Sequence, residues 1–512
     1  MDNIKKNAFT LIELLAVILI LGIIALIAIP VVNELLKESK AGAFNTTVTT
    51  LANKAEEICQ LETIKGENKT NLYTIVKNKV DHPLEIKGSL PREGYILVNN
   101  NCEVAYTFYD DNNVVSKTFN EKKSNFYNKD NIHAYGLEWK SNITNMDDTY
   151  TRTLDANNIE YEDVNVQNSL NPVMNAFDKL DIYKDILPFT DSFGNQFMLI
   201  PKFYISKTKE VTSDEIIWNY AVSKQKLDDT YYLPSNFVDE GIDNDKHIEL
   251  PYVLVGKYEA GYEIIEGEER LVSKSGLIPK TKISINTARS LATSYNDIEG
   301  INGYQQYDIH VHDLLTILIA IEFKTMNSQS IISGYTNNTT EDSALITGGS
   351  DKVTSSSGAT SPSNSSFIYR GIENLWGNIW SFVDGVNIDQ INDDKSTIYT
   401  AHNARYYSSD SITKYYKKLN SYKKLNTNGI VKESGFDSNA PFINLPVEIR
   451  GNKNNGTGDY YYQRLDEQIK IVNAGGEWAG VDFAGMSNLD LSWNSNITYL
   501  PNGTRILKTP IN

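Results

Sequence analysis

The sequence predicts an α+β chain in which a long N-terminal helix is followed by a small antiparallel sheet and then by a large mixed α and β domain. Three observations carry this. Apolar residues concentrate in one uncharged run, residues 14–32. An apolar stripe then recurs at helical spacing, and beyond it short strand-like runs alternate with Asn- and Asp-rich turns. With 512 residues the chain can bury more than one core.

As a helix the uncharged run covers ~29 Å, about one bilayer core, so a membrane span is expected at about 14–32. No small-x-small cleavage site follows it. Lys5 and Lys6 precede it, which by the positive-inside rule keeps the N-terminus cytoplasmic and places the rest of the chain outside. Gly22 and Pro30 loosen the helix locally. Phe44, Val48, Leu51, Ala55 and Ile58 continue it as one apolar stripe until Gly66. The runs 94–98, 103–109 and 114–119 read as strands joined by turn-rich clusters. Residues 121–180 are polar and read as a connector with some local structure. From 181 to 512, strand-like runs at 197–205 and 252–258 precede helix-like stretches near 285–297 and 311–325. The Ser-rich stretch 354–366 reads as a surface insertion.

Composition narrows the function. A formal charge of −17 opposes phosphate backbones, so no nucleic-acid partner is expected. Two cysteines exclude a disulfide-dense scaffold and a four-cysteine zinc site within the chain.

Lys5-Lys6-Asn7-Ala8-Phe9-Thr10-Leu11-Ile12-Glu13-Leu14-Leu15 resembles the type IV prepilin leader and cleavage motif. The resemblance implies a leader over 1–8, cut by a prepilin peptidase between Ala8 and Phe9, with methylation of the new Phe9 amino terminus. It also implies a pilin stem helix over 9–62, a pilin sheet over 63–120, and other pilin subunits as partners. The family usually carries Gly before the cut; this chain carries Ala8. Physically, cleavage creates an ammonium near membrane depth that a neighbouring subunit's Glu13 can neutralise, turning two costly charges into a register-setting pair. The bland alternative is an uncleaved signal anchor in which Glu13 snorkels. Outside the membrane Cys59 and Cys102 can pair, stapling helix to sheet for ~3 to 4 kcal/mol by the chain-entropy account. Two buried free thiols are the alternative.

Four further stretches carry a second resemblance: Ile200-Pro201-Lys202-Phe203-Tyr204; Tyr258-Glu259-Ala260; Glu322 with Met326-Asn327-Ser328-Gln329-Ser330; and Tyr369-Arg370-Gly371-Ile372-Glu373-Asn374-Leu375-Trp376-Gly377-Asn378-Ile379-Trp380. They resemble phage-tail and surface proteins of Gram-positive bacteria, whose domains are similar to the formylglycine-generating (sulfatase-modifying-factor-like), C-type-lectin-like fold. The resemblance implies that 181–512 is a lectin-like distal domain with ligands on its long loops. Trp376 and Trp380 are expected in its core.

Oxidases of that fold need a cysteine pair, which this domain lacks, so no catalytic residue is expected. With 31 Tyr against 17 Phe, the clusters Tyr406-Tyr407 and Tyr460-Tyr461-Tyr462 are the expected contacts for a surface glycan or protein, with strand packing as the alternative. His310 and His312, with Asp308 and Asp313, suggest a metal site less strongly than a solvated surface. Asp239, Glu240, Asp243 and Asp245 could hold a structural calcium ion but lack EF-hand spacing; no cofactor is otherwise expected. No phosphate-binding loop or nucleophile elbow is present. The function expected is a minor or tip pilus subunit displaying a lectin-like adhesin domain at the cell surface; the alternative is a pseudopilin of a type II secretion or DNA-uptake machine.

Overall fold

The computed structural model describes residues 11–67, 70–81, 84, 89–140, 149–159, 169, 174–242, 245–338, 343–353, 358–360, 366–389, 397–419, 428–437, 440–449, 457–464, 466 and 468–510. Its first element, α1 (Leu11–Ile64), is a single 54-residue helix containing Pro30, about 80 Å long at ~1.5 Å per residue. No described residue before Phe44 is buried. From there Phe44, Val48, Leu51, Ala52, Ala55 and Cys59 turn one face onto a sheet. The helix stops where Gly66 takes a positive φ of 83°, which lets the Gly66 and Glu67 amides bond the Thr63 and Glu62 carbonyls.

That sheet holds β1 (Asn71–Val76), β2 (Lys79–Val80), β3 (Glu93–Val98), β4 (Val104–Tyr109), β5 (Asn113–Lys117) and β6 (Asn125–Asn128), antiparallel in the order β2-β1-β3-β4-β5-β6. Ile96 and Val98 of β3 face α1, while Tyr95 and Leu97 face Phe197, Leu199, Tyr252 and Leu254. Both faces are therefore buried. The unbroken apolar run of β3 and β4 is the signature of a doubly covered strand. Cys59 and Cys102 form a disulfide with Cα atoms 5.6 Å apart, tying the end of α1 to the turn before β4.

A second sheet, in the order β13-β11-β12-β7-β8, is built from β7 (Ala134–Lys140), β8 (Tyr150–Leu154), β11 (Tyr204–Val211), β12 (Ile216–Ser223) and β13 (Tyr231–Tyr232). A third, in the order β19-β32-β16-β10-β9, contains β9 (Leu187–Thr190), β10 (Gln196–Pro201), β16 (Tyr252–Gly256), β19 (Tyr304–Gln306) and β32 (Ile506–Lys508). Two ribbons, β14 (Val238–Asp239) with β15 (Ile248–Glu249) and β17 (Gly261–Ile265) with β18 (Glu268–Val272), accompany a small sheet of β20 (Ala359–Thr360), β21 (Ile368–Tyr369) and β22 (Ile372–Glu373). The largest sheet has nine strands: β23 (Trp380–Asp389), β24 (Thr397–Thr400), β25 (Lys417–Lys418), β26 (Gly429–Asp437), β27 (Ala440–Ile449), β28 (Tyr460–Gln463), β29 (Ile469–Gly475), β30 (Gly485–Leu491) and β31 (Asn502–Gly503). Between it and the second sheet lies α3 (Ile309–Phe323), all of whose residues are buried. Such all-round burial marks a central helix. The shorter α2 (Ile285–Thr293) is capped by Ser284, and α4 (Ser328–Ile331) by Asn327.

The stretch expected to be a connector, 121–180, is built into the fold wherever it is described. β6 extends the first sheet, and β7 pairs with β12 in the second. Tyr135, Leu137 and Trp139 alternate into the main core, a period-2 signal diluted by the surrounding polar residues. A boundary at 181 would separate β7 and β8 from their partner strands. Most of the Ser-rich stretch 354–366 lies outside the described residues.

Candidate functional site

Ala8 and Phe9 lie outside the described residues. Glu13 sits in the first turn of α1 and is the one ionisable side chain between Leu11 and Asn33. Around it the helix exposes apolar side chains on every side, among them Ile12 at 80% and Leu26 at 78%. The helix is long and apolar enough to cross a membrane. A surface of this extent needs lipid or other subunits to cover it.

The tyrosine clusters divide. Tyr460, Tyr461 and Tyr462 form β28, inside the nine-stranded sheet and not on a loop. Tyr461 points into the main core and is 2% exposed, which corrects its expected role as a ligand contact. Tyr460 and Tyr462 share the opposite face, with ring centroids 4.4 Å apart. Phe483 lies 4.8 Å from Tyr460 and is 42% exposed, and Trp380 lies 6.1 Å from Tyr462. These rings make one aromatic surface. Sequence missed Phe483 because only the tertiary fold brings its loop to β28. Tyr407 is a packing residue: its hydroxyl donates to Asp308, and a Cβ on Gly385 would lie 2.8 Å from its ring. Tyr406 stacks on Tyr415 at 3.6 Å and remains half-buried at the surface.

Three of the four stretches of the second resemblance take part in buried polar networks within the distal domain. Glu322 receives Arg370 through two nitrogens at 2.9 and 2.7 Å, the Tyr369 hydroxyl at 2.9 Å and the Asn175 amide at 2.9 Å. Glu259 accepts hydrogen bonds from Asn374 and Asn378, on either side of Trp376-Gly377. Gly377 has φ 76°, and a Cβ there would sit 2.9 Å from the Tyr335 carbonyl oxygen, so the turn requires glycine. Trp376 is 1% exposed and packs on Phe367. Asp459, wholly enclosed, accepts from the Ser328 hydroxyl and the Ser487 amide. These carboxylates organise loops from within and face no open site.

His310 and His312 correct another expectation. Neither stands on an exposed extended stretch: both are buried in α3, capped by Asp308. Burial pushes them down to about 3 and about 4. Asp313 binds Lys207 through both carboxylate oxygens, at 2.9 and 2.7 Å. In the acidic loop Asp239 pairs with Arg405 and Glu240 contacts the His402 ring, so those oxygens already serve side chains of the fold; Asp243 lies outside the described residues. Among the described residues no group of three or more His, Cys, Asp or Glu is placed to hold a metal ion. A cleft of about 350 Å³ opens where the first sheet meets the distal domain, lined by Phe119, Glu121, Met174, Lys184 and Arg370 among others.

The buried carboxylates give a pH dependence. Burial raises Glu259 and Asp459 to about 8 each, so the folded state holds protons that the unfolded chain has lost above ~4.5. Stability then falls as pH rises through that window. His310 and His312 act oppositely, but only below ~6.5, the ordinary histidine value. His133, raised chiefly by its bond to Asp181, adds to the fall. The melting temperature should therefore drop between pH 6.5 and 8, by up to ~1.4 kcal/mol of stability per pH unit for each fully titrating group. Calorimetry showing a flat or rising midpoint would contradict this assignment.

Residues 3–29 match the family model described as the prokaryotic N-terminal methylation motif. No curated protein matches the chain. The motif and the long apolar helix behind it support a type IV pilin-like or pseudopilin protein, and the motif implies processing by prepilin peptidase and assembly with other pilins in a membrane. The match covers the N-terminal segment alone and leaves the β-rich body to be read from its own structure.

Proposed function

We propose that the protein is a minor or tip subunit of a type IV pilus that displays a lectin-like ligand-binding domain at the cell surface. The observation that carries this reading is the union of a methylation-motif helix with a distal body of more than 300 residues seated directly on the sheet that covers the stem. A body of that size would crowd a helically packed shaft, whereas a single copy at the end has open space. The N-terminal leader faces the cytoplasm and the distal domain the outside, following the positive-inside rule. The domain acts by binding, without catalysis. Its contact surface is the aromatic patch of Tyr460, Tyr462 and Phe483, whose flat rings suit a sugar or protein face.

Replacing Tyr460 and Tyr462 together by Ser should lower attachment of piliated cells at least about tenfold, taking ~1 to 2 kcal/mol for each anchor ring. Circular dichroism should stay native, because both rings lie on the outward face of β28. Tyr461→Ser should instead unfold the domain. Native attachment by the double variant would remove the patch from the reading. Cells that lack the protein, adhere normally and lose secretion or DNA uptake would assign it to a pseudopilin machine.

A further inference from the structure

The junction between the first sheet and the distal domain buries an unusual set of groups. Glu93 opens β3, and Lys202 directly follows β10; their side chains are 2% and 1% exposed and in contact. Glu249 of β15 lies with Oε2 2.6 Å from Lys202 Nζ. Arg92 Nη2 lies 2.9 Å from Glu93 Oε1 and 3.3 Å from Glu249 Oε2. The Tyr109 ring closes the other side, 4.1 Å from Nζ, and its hydroxyl donates to the Lys202 carbonyl at 2.7 Å.

We propose that Lys202 and Glu93 condense to an intramolecular amide, a covalent cross-link between the first sheet and the distal domain. Each neighbour has a role. Lys202 Nζ is the nucleophile and Glu93 Cδ the electrophile. Glu249, in hydrogen-bond contact with both, takes a proton from Nζ. Arg92 holds the oxyanion that develops on Glu93 Oε1 as the amine adds. Glu249 then returns its proton to the departing Oε2–H, which leaves as water, and takes the second proton from the new amide nitrogen, ending protonated. One N–C bond forms, one C–O bond breaks, and no atom changes oxidation state.

The electrostatics suit this division. Burial raises the Glu93 carboxyl from its ordinary value, against the pull of Lys202 and Arg92, and so favours the neutral acid. Burial opposes ionisation of Glu249 as well, but the Lys202 charge prevails and holds it down to about 2, the state of a base. Condensation replaces the buried Lys202 ammonium with a neutral amide, removing its desolvation penalty, and releases one water. Lys207 and Asp313 are equally buried, but among the described residues no second carboxylate acts on Lys207, so that pair lacks a proton carrier. The link would stop the distal domain peeling from its sheet under tension, whatever ligand the domain holds.

Intact-mass measurement of the full-length chain in detergent decides the matter. The mass should be about 18 Da below that of the disulfide-bonded sequence, the loss of one water. A digest should yield one branched peptide joining the segments around Glu93 and Lys202. Lys202→Arg keeps the charge without an acylable amine and should restore the full mass, as should Glu249→Gln, which keeps the shape without the base. A wild-type chain at full mass with separate peptides would overturn the proposal, and a link persisting in Glu249→Gln would overturn the role given to Glu249.

Discussion

Glu13→Ala should leave the protein in the membrane and exclude it from the filament. Insertion is spared because the substitution removes the one charge from an otherwise apolar stretch, and a carboxylate at that depth costs several kcal/mol unless neutralised. Assembly should fail because, on the proposed function, cleavage before Phe9 leaves the adjoining subunit an ammonium that then has no carboxylate to meet in an apolar environment. The expected effect is all or none: the variant should fractionate with membranes at wild-type abundance and be missing from sheared surface filaments. Glu13→Asp, which keeps the charge on a shorter arm, should give an intermediate yield. Wild-type incorporation of the alanine variant would show that the pair is not needed.

Arg370→Met should severely destabilise the distal domain. The guanidinium is 3% exposed and serves two acids, Glu322 through two contacts and Asp178 at 3.1 Å. Its removal leaves Glu322, which is fully buried, without its cationic partner. Breaking one side of such a pair costs ~3 to 5 kcal/mol, a large share of the ~5 to 15 kcal/mol that holds a domain together. Urea denaturation should show an unfolding free energy lower by that amount. Adding Glu322→Gln to the variant should recover part of the loss, since the stranded carboxyl group is then gone. A single variant as stable as the wild type would mean that the network does not organise the core.

What the sequence made legible follows the range of the interactions concerned. The stem helix was readable because its period, its Gly66 stop and its uncharged run are local patterns, and α1 runs from Leu11 to Ile64 as one element. Three of the six strands of the first sheet, β3, β4 and β5, were readable from their apolar runs and Asn- and Asp-rich turns, whereas β1, β2 and β6 were not. Nor was the sheet's second burial face, because Tyr95 and Leu97 find their partners more than a hundred residues away. For the same reason β7 was hidden: Trp139 pairs across to Trp218 of β12. His310 and His312 looked like a polar cluster, yet the Asp308 cap starts a helix that carries them inside. Tyr460, Tyr461 and Tyr462 could not be divided into core and surface without knowing that they form a strand, on which neighbours point to opposite faces. Glu93, Lys202 and Glu249 gave no sequence signal together, since three separate elements bring them to one point.

The central claim is that this chain enters a type IV filament as a processed pilin-like subunit. Mass spectrometry of the N-terminal peptide from sheared surface filaments tests it most directly. The peptide should begin at Phe9 with a methylated amino group, consistent with the methylation motif over residues 3–29. A peptide beginning at Met1 in that fraction, or the protein's confinement to the cell membrane with its leader intact, would contradict the account.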